Sequence, residues 1–121
     1  MPWISAGALL LASAVGLGAF GAHGLRGRLD AYSMGIYEKA VFYHVAHALG
    51  MLAVCALSRT GAVSQSATTW VCGLLLAGVL LFSGSLYLLA VTGVRIFGAI
   101  TPLGGVAFIA AWLTLAWAAM R

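Results

Sequence analysis

The sequence predicts an all-α integral membrane protein, a single bundle of four transmembrane helices joined by short loops. Of its 121 residues, 64% are hydrophobic and only 7% charged, with mean hydropathy +1.10. A soluble domain carries roughly 25% charged residues to face water, so lipid is the solvent here. The charged side chains Arg26, Arg28, Asp30, Glu38, Lys39, Arg59, Arg95 and Arg121 leave charge-free stretches 1–25, 40–58, 60–94 and 96–120. Each holds one spanning helix of roughly 20 residues and none comfortably holds two. Open strands are excluded, because lipid satisfies no backbone polar group. The aromatics agree with four antiparallel crossings. Trp3, Trp70, Trp112 and Trp117 sort toward the face that holds both termini, and Tyr32, Tyr37, Tyr43 and Tyr87 toward the opposite one, as amphipathic rings do at headgroup level.

Helix 1 is expected over residues 3–22. It resembles a signal peptide in position and in its Ala and Gly content, but it lacks a positive n-region, and its apolar segment exceeds the usual roughly 7–15 residues. It therefore reads as retained. Ala14, Gly18 and Ala22 recur every four residues, as do Ala12 and Gly16. Such rows of small residues let helix backbones approach closely in lipid, within the bundle or across a dimer. Gly24 and Gly27 then suit a helix end. Leu25, Leu29, Tyr32 and Ile36 follow helical spacing with Arg26, Arg28 and Asp30 elsewhere around the cylinder. That pattern fits a short interfacial helix or a solvated loop.

Helix 2 is expected over 38–58, followed by a short polar link from Arg59 to Ser66. Helix 3 is expected over 67–90, with Ser83, Gly84, Ser85 and Tyr87 near its far end and Thr92-Gly93 stopping it. For the last span there are two starts. The helix could begin near Ile96 and be kinked at Pro102. The favoured alternative has Thr101 as the cap and Pro102 in the first helical position, where its missing N–H costs nothing, giving a helix over 102–120. Gly84, Pro102, Gly104 and Gly105 are further close-packing positions. Cys55 and Cys72 match no metal spacing. They read as small buried hydrophobes, with a disulfide as the alternative because both lie near one membrane face.

The informative polar groups lie in one half of the bilayer. Helix 2 is free of charge from Ala40 to Ser58 and yet carries Tyr43, His44 and His47, whose three- and four-residue spacings put them on neighbouring parts of one face. His23 closes helix 1 on the same side, Ser83, Ser85 and Tyr87 close helix 3 there, and Thr101 opens helix 4. Ionisable groups at membrane depth are costly and often functional, so His23, Tyr43, His44, His47, Ser83, Ser85, Tyr87 and Thr101 form the candidate polar site. Three readings compete. The imidazoles of His44 and His47, with His23, could hold a transition metal or haem iron. The histidines could relay protons or line a polar cavity beside Tyr43 and Tyr87. Or they could join helices, with His47 bonding a group on helix 3 or helix 1, worth about 0.6 kcal/mol in a membrane. The third is favoured, so no cofactor is expected.

No enzyme motif accompanies them. Gly84-Ser85-Leu86-Tyr87 lacks the second glycine and the strand context of a nucleophile elbow. The glycines of Gly16–Gly24 lie inside a span with no preceding strand, which rules out a nucleotide-binding loop. The net charge of +4 sits at the edges of apolar runs and signals topology, not nucleic acid. Arg26, Arg28, Lys39 and Arg95 flank one face against Arg59 and Arg121 on the other. The positive-inside rule then puts loops 24–37 and 91–100 in the cytoplasm and the termini outside a bacterial inner membrane.

Four stretches in order, GAFGAHGL (Gly18–Leu25), Tyr43 through His47-Ala48-Leu49, LFSGSLYLLA (Leu81–Ala90) and ITPLGG (Ile100–Gly105), resemble a family of small bacterial membrane proteins. It is the domain of unknown function four hundred and twenty-three, grouped with the animal transmembrane protein two hundred and fifty-six. The resemblance covers nearly the whole chain and implies a multi-pass membrane protein with no established activity, substrate or cofactor. It places His23 and His47 on motif histidines, and His44 where the family often has glutamine, which argues for hydrogen bonding over paired metal ligation. The expected function is an accessory, assembly or interaction subunit that meets lipid and forms a homo-oligomer or joins a larger membrane complex. The rivals are a metal, haem or proton-relay site centred on His47, and a small-solute transporter or channel.

Overall fold

A computed structural model describes residues 2–121. Its four apolar spans, Pro2–Leu25, Ala31–Arg59, Gln65–Thr92 and Ile96–Ala119, are each long and apolar enough to cross a membrane. Span 1 is helix α1 (Pro2–Phe20) continued by a π-helical turn, Gly21–Leu25. Span 2 is α2 (Ala31–Arg59). Span 3 is α3 (Gln65–Gly78) and α4 (Gly84–Thr92) joined through a second π-helical turn, Val79–Ser83. Span 4 is α5 (Ile96–Ala119).

The spans run antiparallel. Trp3 and Trp70 line one crevice, while Trp70 and Trp117 meet the Gly61–Ser66 link at another; three of the four tryptophans therefore share the terminal face. At the other face Tyr32 and Ile36 of α2 stand beside Leu89, Gly93 and Arg95. Span 1 packs against α2, α2 against both halves of span 3, and span 3 against α5. The core is the meeting of Met51, Val54 and Cys55 on α2, Val71, Cys72, Leu75 and Val79 on span 3, and Phe108 and Ala111 on α5. Cys55 and Cys72 are buried free thiols. Buried apolar side chains cannot drive helices together in lipid as they do in water, so close packing has to do so.

Two sequence expectations are corrected. The segment after span 1 is neither a separate interfacial helix nor a long loop: α2 begins at Ala31, seven residues ahead of the expected 38. Gly27 takes a positive φ of 87°, turning the chain sharply. Asp30 then caps α2, its side chain accepting the Ser33 N–H at 2.7 Å. Tyr32–Ile36 are the first turns of α2, so their helical spacing belonged to a helix that emerges beyond the lipid. The last span begins at Ile96, with Pro102 inside it, not at its first position. Gly93 closes α4 at φ 72°, and Val94 and Arg95 suffice to turn the chain. Pro102 removes the hydrogen bond to the carbonyl of Gly98, a loss that spanning helices tolerate when neighbours satisfy the freed groups.

The Ser33 bond holds the exposed Asp30 carboxyl below the usual carboxylate range. A depressed folded-state pKa means the cap contributes fully above the unfolded value of about 3.9 and is lost as pH falls through the lower folded value. Amide exchange at Ser33 and Met34, taken relative to the intrinsic rate at each pH, should therefore accelerate on acidification in the wild type. In Asp30→Ala it should be fast already at neutral pH, and an unchanged profile would remove the cap from the account of where α2 starts.

Candidate functional site

The site begins with depth. Ser13 lies twelve residues before the end of span 1, and His44 thirteen residues after the start of α2. At 1.5 Å per residue the two reach the same level of the bilayer. The Oγ of Ser13 is 3.2 Å from Nε2 of His44, and Nδ1 of His44 is 2.9 Å from the Tyr87 hydroxyl on α4. One buried imidazole therefore ties span 1 to span 3 through span 2.

The direction of each bond follows from the last one. Ser13 donates to the Leu10 carbonyl at 2.9 Å, and a carbonyl can only accept. The serine has spent its single proton, so it accepts from His44. His44 is then assigned as the neutral Nε2–H tautomer, and Tyr87 donates to Nδ1. The chain reads Tyr87 to His44 to Ser13 to Leu10, with every donor used. It ends on a backbone carbonyl, as a structural tie does. Beside it the Tyr37 ring meets Tyr87 edge-on at 5.1 Å, and the Tyr37 hydroxyl donates to the Leu17 carbonyl at 2.5 Å. Leu17 lies about one turn before the π-helical turn Gly21–Leu25. A Cβ at Gly21 would stand 2.9 Å from Cδ1 of Tyr37, so the glycine makes room for the tyrosine.

His47 does something else. Its Nδ1 bonds the Tyr43 carbonyl one turn back on its own helix at 2.9 Å, which fixes the proton on Nδ1. Its ring stacks on Phe108 of α5 at 3.6 Å, and the Tyr43 ring lies nearly parallel beside the pair, 5.9 Å from His47 and 6.4 Å from Phe108. The expected bond from His47 to helix 3 or helix 1 is thus corrected: the histidine that joins helices through hydrogen bonds is His44, and His47 contributes an aromatic contact.

The remaining candidates form two separate polar contacts. Ser83, buried, donates to the Ala40 carbonyl of α2 at 2.8 Å. Ser85 and Thr101 share a hydrogen bond of 2.6 Å, and the pair ends on the carbonyl of Phe82 or Phe97 according to which hydroxyl donates. Thr101 therefore joins α4 to α5 from inside α5, and caps nothing. His23 is exposed at the end of span 1, apart from the other two histidines. Among the described residues no three His, Cys, Asp or Glu side chains gather where they could hold a metal ion.

Of the close-packing positions, Ala14 is buried, and Gly104 lies so tightly on Phe82 that a Cβ there would come within 2.6 Å of its Cα. Gly18, Gly84 and Gly105 are in ordinary contact or looser. Ala22 and Pro102 are exposed. Sequence reasoning missed Ser13 and Tyr37, though the depth match to His44 was available for Ser13. It also missed Gly7, Gly50 and Gly78, each of which faces a large side chain: Leu52, Trp112 and Phe108.

Comparison with known proteins places this arrangement in a family. Residues 17–105, which contain Tyr37, His44, Ser83 and Tyr87, match the family model described as "Protein of unknown function (DUF423)". A UPF0382 membrane protein of Staphylococcus saprophyticus is 50% identical over 113 residues, 93% of this chain and 92% of the relative. The UPF0382 membrane protein YwdK of Bacillus subtilis is 47% identical, over 98% of this chain and 96% of its own. No solved structure matches. The likeness runs through all four spans, and the chain belongs to the DUF423 family of membrane proteins of unknown function.

Proposed function

We propose that the protein is an accessory or assembly subunit of a bacterial cytoplasmic membrane, acting by lateral helix contact. The observation that carries this reading is the outer face of span 1. Ala8, Ala12, Gly16 and Ala19 lie there exposed, and a Cβ built at Gly16 meets nothing within 4 Å. Leu9 and Val15 are exposed beside this row of small residues, whereas the outer face of α5 exposes Leu103, Val106, Ile109 and Leu113. Bulky aliphatic side chains suit lipid tails, whereas small ones let a second helix approach. Its polar interior supports the same reading, because the hydrogen bonds around His44 are spent on joining its own helices. The orientation that goes with it has Arg26, Arg28, Lys39 and Arg95 on the cytoplasmic side.

Both native cysteines are buried, so Ala12→Cys supplies a single accessible thiol. Oxidative cross-linking in native membranes should give a discrete adduct, to a second copy or to another membrane protein, and Gly16→Leu in the same background should abolish it. Absence of any adduct, together with elution of the native-purified protein alone and monomeric, would sink the accessory role.

The rival class centres on His47. With Nδ1 donating to Tyr43, its Nε2 presents a lone pair suited to a metal. An optical spectrum and elemental analysis of protein purified from its own membrane would show a Soret band or stoichiometric metal lost in His47→Ala if this class were right.

A further inference from the structure

Where span 1 ends, its π-helical turn and the first turns of α2 enclose a small cleft of about 140 Å³. Gly18, Gly21 and Ala22 make one wall and Met34 and Val41 the other, with Arg26 and Glu38 at its mouth. Gly18 and Gly21 carry no side chain to fill it, although Tyr37 takes the space directly above Gly21. Gly18 is more open, with only Val41 within reach of a Cβ, at 3.5 Å. The cleft therefore joins an apolar lining of Gly18, Ala22, Met34 and Val41 to two opposite charges, Arg26 and Glu38, at the loop end of span 1.

Those charges are weakly engaged with each other. Arg26 Nη2 and Glu38 Oε2 are 3.8 Å apart, with side chains 68% and 62% exposed. Such a pair contributes roughly 0–1 kcal/mol and opens readily for better partners. A membrane supplies one molecule whose polar end carries both complementary charges side by side and whose other end is an acyl chain. We infer that this cleft binds an aminophospholipid of the phosphatidylethanolamine kind, its phosphate on Arg26, its ammonium on Glu38 and the headgroup end of one acyl chain against Gly18 and Ala22.

The chemistry discriminates among lipids. A guanidinium binds any phosphodiester through charge-assisted hydrogen bonds. A carboxylate gains hydrogen bonds from a primary ammonium, none from the quaternary ammonium of phosphatidylcholine, and repels the net negative charge of phosphatidylglycerol. Glu38 is thus the selecting residue and Arg26 the anchoring one. This inference does not rest on the accessory role: it concerns the loop side of span 1 and is read out by lipid, not by protein partners.

The test is native mass spectrometry of the full chain released from vesicles containing equal amounts of phosphatidylethanolamine, phosphatidylcholine and phosphatidylglycerol with matched acyl chains. The wild type should retain phosphatidylethanolamine about threefold to fivefold over either competitor, the worth of one exposed ion pair. Glu38→Gln should erase that preference while lipid is still retained. Arg26→Gln should lower retention of all three, and Ala22→Leu, which fills the cleft and leaves both charges, should do the same. Equal retention of the three lipids by the wild type, phosphatidylglycerol favoured over phosphatidylethanolamine, or an unchanged preference in Glu38→Gln would each overturn the assignment. Melting of each variant beside the wild type keeps a folding defect from passing as lost binding.

Discussion

Replacing Gly104 by alanine should destabilise the bundle by about 3 kcal/mol, at or beyond the upper end of ordinary overpacking. Most small-to-large changes are absorbed by rotation of a neighbouring side chain. Here the obstacle is backbone: a Cβ at Gly104 overlaps the amide nitrogen of Phe82 and comes within 2.6 Å of its Cα. Phe82 lies in the π-helical turn Val79–Ser83, where the wider turn carries the backbone of span 3 against α5. Relief requires either parting the two helices or rebuilding the turn. Parting them would disturb Phe108, which sits against Gly78 and stacks on His47. Two controls isolate the cause. Gly105→Ala, where the nearest atoms are 3.9 Å away, should be tolerated. Gly16→Ala, facing nothing, should be neutral or gain roughly the 0.5–1 kcal/mol that alanine brings to a helix. Reversible unfolding in bicelles reads all three, and equal stabilities for Gly104→Ala and Gly105→Ala would deny the close approach.

That contact shows where sequence reading stops. The four spans were legible because charge is so scarce that its positions mark the spans. The start of α2 is less legible: Glu38 and Lys39 mark where the charge-free run begins, but the helix itself starts about two turns earlier at Ala31, and the Asp30 cap with Ser33 is the available signal. The preference of proline for a helix start comes from aqueous helices and weakens where neighbouring spans repair a missing N–H, so Pro102 lies inside α5. The π-helical turns leave no mark at all, because one extra residue per turn keeps an apolar run apolar. The polar half of the bundle was legible as a region. Its internal partners were not, since three residues on a helix separate His44 from His47, and only the rotation of α2 against its neighbours decides which imidazole faces inward.

This rotation gives His44 and His47 opposite tolerances. His44→Ala strands the Tyr87 hydroxyl and the Ser13 oxygen and empties a site only 4% exposed. Each interhelical hydrogen bond in a membrane averages about 0.6 kcal/mol, and leaving two polar groups without partners away from water adds to that, for a total of about 2 kcal/mol. Glutamine offers one acceptor for Tyr87 and one donor for Ser13, so His44→Gln should cost less than about 1 kcal/mol. Phenylalanine fills the space at residue 44 but supplies neither group, and His44→Phe should behave like His44→Ala. At residue 47 the order inverts. His47→Phe keeps the stack on Phe108 and gives up a bond within a single helix, so it should be nearly neutral, whereas His47→Gln loses the ring and should be the worse variant. Unfolding of these variants in bicelles, with Tyr87→Phe added to close a double-mutant cycle on the His44 bond, measures the inversion. If glutamine and phenylalanine ranked alike at both positions, the directed chain from Tyr87 to Leu10 would not be what joins spans 1, 2 and 3.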